Sequence, residues 1–149
     1  MVAHYLLDVN VLLALAWPNH MHHSEAHDWF QKHRYKGFAT CPLTQLGFVR
    51  ISSNPKFTKD AVPPVTALEL LDRLTGLPGH SFWADTLSCK EALASDQLIV
   101  GHRQLTDLYL LGLAQSHNGV LATFDRSISA KRVEIIGEPG SREQFTRDP

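Results

Sequence analysis

Short apolar runs alternate along this chain with longer stretches whose apolar positions recur every three or four residues. The two periods predict strands and helices in alternation. Ala3–Leu7 is a run of strand length, and Val11–Trp17 is continuously apolar up to Pro18, which suits a buried helix. A second helix is predicted from about His22 to His33, with Ser24 as its cap and Ala26, Trp29 and Phe30 on one face, before Gly37 breaks it. Phe38–Cys41 reads as a strand, and Pro42 opens a helix that ends near Ser52, ahead of Asn54-Pro55. After the polar stretch Lys56–Pro64, a helix is predicted near Thr66–Thr75 on its stripe of Leu68, Leu70, Leu71 and Leu74. Leu77-Pro78-Gly79 is a turn, Ser81–Trp83 a short strand candidate, and residues 85–100 give no clear pattern. Leu105–Gln115 reads as a helix stopped by Asn118-Gly119, followed by strands at Val120–Phe124 and Val133–Ile136. From Gly137 the polar sequence EPGSREQFTRDP predicts a tail, mobile or lying on the surface.

The resulting order, β-α-α-β-α-α-β-α-β-β, is that of an α/β fold with a mainly parallel sheet covered by helices on both faces. No repeat interrupts it, so one domain is expected over residues 1–136. The chain has 149 residues, 44% of them hydrophobic and 19% charged, against roughly 25% charged in an average soluble domain. A core of this size needs neither disulfides nor a structural metal, so Cys41 and Cys89 are read as small apolar residues. No apolar run approaches the ~20 residues that span a bilayer, and MVAHYLLDVN shows no secretory signal, so no membrane association and a cytoplasmic location are expected. The net charge of −1 excludes a broadly basic surface that would coat nucleic acid; any such contact must be a local patch.

Candidate chemistry lies with the aspartates. In open α/β sheets, ligands bind beyond the carboxyl ends of the strands. Asp8 and Asp125 each follow a predicted strand, and Asp107 starts a helix. If the short βα loops bring them together, each pair repels by about 4 kcal/mol at ~4 Å and an effective dielectric of 20, and the cluster calls for a cation. Carboxylate oxygens suit Mg²⁺ or Mn²⁺. Taken singly, Asp107 is equally a first-turn residue favoured by the helix dipole and Asp125 a turn cap, whereas Asp8 sits between apolar segments, where a carboxylate needs a partner. Asn10 and Thr123 are candidates to orient ligands or water, with local capping as the alternative. His20, His22, His23 and His27 form a histidine cluster, but its order is HSEAH and not HExxH, so it reads as a solvated helix start and not as a zinc site.

Three blocks, LLDVNVLLAL, TCPLTQLGFVRISSNP and TDLYLLGLAQSHNGVLATFDRSI, resemble in that order those of PIN-domain ribonucleases, most closely the VapC-type toxins of toxin–antitoxin modules. The resemblance runs from about Val2 to Ile136. It implies a three-layer α/β/α sandwich and makes Asp8, Asp107 and Asp125 acidic metal ligands. Where many relatives carry a glutamate, this chain has Gln45, whose carbonyl oxygen still serves a metal or its water but removes one negative charge. Weaker divalent-ion affinity is expected.

The activity so implied is endoribonuclease cleavage by water activated on Mg²⁺ or Mn²⁺, leaving 5′-phosphate and 3′-hydroxyl ends. Arg50, Lys56, Lys59, Arg103 and Arg126 are candidates to hold the RNA, and Phe57 or Trp83 to stack on a base. The resemblance further implies a homodimer and a cognate antitoxin protein, with operator DNA bound only through that antitoxin. Two alternatives stand beside it. One is a PIN-like RNA- or protein-binding module whose metal site Gln45 has disabled; the other is a Mg²⁺-dependent haloacid-dehalogenase-like phosphatase, which would carry an aspartate where this chain has Asn10.

Overall fold

The computed structural model describes residues 2–93, 101, 105–128 and 132–137. Five strands, β1 (Tyr5–Leu7), β2 (Phe38–Thr40), β3 (His80–Phe82), β4 (Val120–Thr123) and β5 (Val133–Ile135), form one sheet in the order β3-β2-β1-β4-β5. Every neighbouring pair is parallel. β1 and β2 are buried throughout and β4 in all but its first residue, whereas the edge strands β3 and β5 stay partly exposed. Burial on both faces is why the central strands read as unbroken apolar runs without a two-residue alternation.

Helices α1 (Val9–Ala16), α2 (His23–His33), α3 (Pro42–Ser52) and α4 (Pro64–Thr75) bring Val11, Leu12, Trp29, Phe30, Phe48 and Leu71 onto the sheet face that carries Tyr5, Leu7, Phe38 and Ala122. Two further helices, α5 (Cys89–Ala92) and α6 (Leu105–Ser116), cover the other face, where Leu110, Leu111 and Leu113 pack on Leu6, Ala39 and Leu121. The result is the expected three-layer sandwich.

Several boundaries differ from the sequence expectation for local reasons. α1 begins at Val9, ahead of the apolar run, because Asp8 caps it. α4 begins at Pro64, where proline's fixed φ and missing N–H fit the first helical position. α2 begins at His23, and neither Ser24 nor His22 supplies a side-chain cap. Within the unreadable stretch, Ser88 and Glu91 form a reciprocal capping box that starts α5. α5 lies so close to α6 that a Cβ on Gly112 would come within 2.2 Å of the Ala92 carbonyl oxygen.

Both cysteines are free, Cys41 buried and Cys89 exposed. Among the described residues no helix is long and apolar enough to cross a membrane. Residues 138–149, expected as a tail, lie outside the described residues, as does Arg103.

The strand order places the site. From β1 the chain moves to β2 and β3 on one side, then crosses to β4 and β5 on the other, so the connections diverge around β1. The carboxyl ends of β1 and β4 therefore flank the crevice where ligands settle in doubly wound folds.

Candidate functional site

Asp8 stands at that crevice, only 7% exposed. A carboxylate so buried must be hydrogen-bonded. One oxygen accepts from the Val9 N–H at 2.7 Å, capping α1, and the other accepts from the Thr123 hydroxyl at 2.8 Å. Thr123, fully buried at the end of β4, also accepts from the Asp125 backbone N–H at 3.1 Å. One hydroxyl thus joins the end of β1 to the loop that carries Asp125. The Asp125 carboxylate is held in turn by the Ser127 N–H and hydroxyl, at 2.9 and 2.7 Å.

Asp107 enters from the opposite layer, in the first turn of α6. Burial first, then the charges of Asp8 and Asp125, and a hydrogen bond with Asp125 push its carboxyl up to about 7. Asp8 is raised as well, chiefly by burial; the Thr123 and Val9 bonds pull it down and Asp125 adds a smaller upward push. The structure therefore brings Asp8, Asp107 and Asp125 into one electrostatic group from segments about a hundred residues apart.

Three carboxylates sharing a low-dielectric crevice favour either a proton or a cation. Their hard oxygens suit Mg²⁺ or Mn²⁺. The Asn10 side-chain oxygen, two residues beyond Asp8, is buried without a hydrogen-bond partner, a further oxygen donor left unsatisfied. Among the described residues no three His, Cys, Asp or Glu side chains stand close enough together to hold a metal ion without rearrangement.

Gln45 stands to one side of the trio. Its side-chain amide donates to the Thr40 hydroxyl at 2.9 Å, and that hydroxyl, fully buried at the end of β2, lies 2.7 Å from His80 Nε2. Arg50, Lys56 and Lys59 are exposed on the end of α3 and the turn beyond it, while Arg126, exposed beside Asp125, donates to the Gly137 carbonyl at 2.8 Å. The structure gathers none of the first three with the aspartates. Trp83 is buried and stacked on His117 at 4.0 Å, so it offers no free face to a base, whereas Phe57 is 70% exposed. The histidine cluster is not a solvated helix start. His23 Nδ1 and His27 Nε2 donate to the Ala14 and Leu15 carbonyls at 2.7 and 3.0 Å, filling the acceptors left open where α1 ends.

Two parts of this arrangement escape a reading of the sequence alone. Ser127 follows Asp125 at the i, i+2 spacing of an Asx turn, a signal that was present but common. The Thr40 and His80 contact joins residues forty apart across two strands, and no local pattern announces it.

The PIN-domain family model matches residues 5–134. The chain belongs to the PIN-domain family. As a PIN domain it is 43% identical to ribonuclease VapC39 of Mycobacterium tuberculosis over 136 residues, 88% of this chain and 98% of that protein. It is 46% identical to ribonuclease VapC38 of the same organism over 125 residues, covering 83% and 86% of the two chains. A third relative, ribonuclease VapC44, is 39% identical over 140 residues, 93% and 94% of the two. Among solved structures, VapBC2 from Rickettsia felis bound to a DNA fragment from its promoter aligns with a TM-score of 0.60 and 16% identity, over 89% of this chain and 98% of that one. That likeness concerns the fold alone. Membership of the PIN-domain family sets aside the phosphatase alternative.

Proposed function

We propose that this PIN-domain protein is a VapC-type endoribonuclease, the toxin of a toxin–antitoxin module, and that residues 1–136 form its nuclease domain. The observation that carries the proposal is the convergence of Asp8, Asp107 and Asp125 at the carboxyl edges of β1 and β4, with Asp107 pushed up to about 7. Names and extents of the relatives support the ribonuclease reading, and the antitoxin partner follows from that VapC-type reading.

In this reading Asp8, Asp107 and Asp125 hold a Mg²⁺ or Mn²⁺ ion. When bound, such an ion acidifies a water and offsets the charge that develops on the phosphoryl oxygens. The protein's own part is positional. Thr123 and the Val9 N–H fix the Asp8 carboxylate, Ser127 fixes that of Asp125, and Asp107 must give up its proton before it serves as an anion. Gln45, anchored through its amide nitrogen to Thr40, keeps its carbonyl oxygen as an acceptor for water. In the same reading Arg126, Arg50, Lys56 and Arg103 meet the RNA backbone, Arg126 by giving up its bond to the Gly137 carbonyl, and Asn10 and Thr123 orient the site. The partners are RNA, a cognate antitoxin and a second copy of the chain, and operator DNA is reached only through the antitoxin.

The second reading, a noncatalytic binding module, draws on the same Gln45, a neutral amide where the site would gain from a charge. Calorimetric titration with Mn²⁺ separates the two. Wild type should bind, Asp107→Asn should lose measurable binding, and Gln45→Glu should bind more tightly. Failure of the wild type to bind Mn²⁺ would favour the binding module.

A further inference from the structure

Beside the carboxylate crevice lies a second cavity, of about 370 Å³, lined by Leu43, Asp85, Cys89, Leu105, Thr106 and Tyr109. Its volume falls at the lower end of the ~300–1,000 Å³ that small-molecule pockets occupy. Leu105 and Thr106 immediately precede Asp107, and Leu43 lies in the first turn of α3, two residues before Gln45. A group seated in it would therefore stand next to whatever the aspartates hold.

Its chemistry is distinct from theirs. Leu43 and Leu105 supply apolar walls, and Tyr109 supplies an aromatic ring whose hydroxyl is tied to the Leu87 carbonyl at 3.0 Å, which fixes the ring in place. Burial first, then the Asp85 charge, raise the Tyr109 phenol above its ordinary value, which sets that carboxylate beside the ring. Asp85 itself is exposed, with its carboxylate also hydrogen-bonded to the Tyr109 hydroxyl, a bond that a ligand must share or displace. An open, mostly apolar depression with an aromatic wall suits a nucleobase splayed out of a single strand.

We infer that this cavity is a guanine subsite, in which Asp85 reads the Watson–Crick edge of a guanine base adjoining the scissile phosphate. A carboxylate is acceptor-only and presents two oxygens. Guanine is the one RNA base whose edge offers two adjacent donors, N1–H and the N2 amino group. Adenine and cytosine each set an acceptor nitrogen beside their amino group, which a carboxylate repels, and uracil flanks its single N–H with two carbonyls. Rejection of the wrong base thus comes from repulsion as well as from a lost bond. The inference rests on the ribonuclease reading for the strand that delivers the base, but the pocket is testable apart from it.

The test uses the full chain in EDTA and fluorescein-labelled UUGUU, UUIUU and UUAUU with uncharged methylphosphonate linkages, so that neither cleavage nor repulsion by the acidic crevice intervenes; I is inosine, which lacks the N2 amino group. Fluorescence anisotropy should show UUGUU binding about tenfold tighter than UUAUU with UUIUU between, a ratio within the range of one bidentate base contact. Asp85→Asn, at an exposed position, should bring the three within about twofold by weakening UUGUU, with the folded state checked by its melting temperature. Equal binding of the three by wild type, no binding, or a guanine preference that survives Asp85→Asn would overturn the inference. A parallel incubation of wild type with total RNA and Mn²⁺ keeps the two failures apart. Cleavage without guanine preference would refute only the subsite, whereas absence of cleavage would refute the ribonuclease reading and leave the subsite to the binding data.

Discussion

At the scale of single residues, the site is built on one buried carboxylate and the hydroxyl that satisfies it. Thr123→Val keeps the shape of the side chain but leaves one Asp8 oxygen without its donor. An unsatisfied buried acceptor costs about 1–3 kcal/mol, so the melting temperature of the metal-free protein should drop clearly, and an unchanged value would remove Thr123 from the network. Asp107 has a pH signature. Its carboxyl titrates at about 7 in the folded protein and near ~3.9 in an unfolded chain, so the native state holds a proton that the unfolded state has released. Stability is unaffected below about pH 4, declines as pH rises toward about 7 and is level above it. His20 and His80, both lowered chiefly by burial, act in the opposite sense. The informative quantity is therefore the difference between wild type and Asp107→Asn in EDTA, and the variant should gain on the wild type in melting temperature from pH 5 to pH 8. All three aspartates were legible in the sequence, two by their position after apolar strands. Their mutual electrostatics were not, because they depend on how closely the β1 and β4 edges and the start of α6 approach.

At the scale of elements, the sandwich depends on close approaches that small residues permit. Gly112 is where α6 meets α5, and Gly112→Ala would drive a Cβ into the Ala92 backbone. Overpacking of this kind costs about 1–3 kcal/mol, and thermal denaturation should show it; a neutral result would mean that α5 moves aside freely. The order of strands and helices was readable because the apolar runs are short, bounded by Gly37, Pro42, Asn54-Pro55 and Asn118-Gly119, and differ in period. The ends were less so. Asp8 extended α1 backwards by a cap that apolar periodicity does not register, and the four-residue α5 is held by its Ser88–Glu91 box and by Gly112, too short to display a period. The histidines of HSEAH illustrate the same limit. Their i, i+4 spacing is that of a metal site, and only the neighbouring helix end, with its open carbonyls, decides that they cap instead.

For the whole molecule, the sheet order gathers residues from both ends of the chain at one crevice, so fold and site are one design: β1 delivers Asp8, β4 delivers Thr123 and Asp125, and the crossing through α6 delivers Asp107 between them. A chain of net charge −1 with an acidic crevice must recruit a cation before it can accept an RNA phosphate there. Metal dependence and loss of activity on removing Asp8 therefore stand or fall together. The direct test is incubation of total bacterial RNA with the purified protein in Mg²⁺, in Mn²⁺ and in EDTA, beside Asp8→Asn, in which the amide oxygen still accepts from the Val9 N–H. Discrete RNA fragments should appear with wild type and a divalent ion, and should be absent in EDTA and with a folded Asp8→Asn. Cleavage that persists in EDTA or in that variant, or no cleavage by wild type under any of these conditions, would contradict a metal-dependent ribonuclease centred on Asp8.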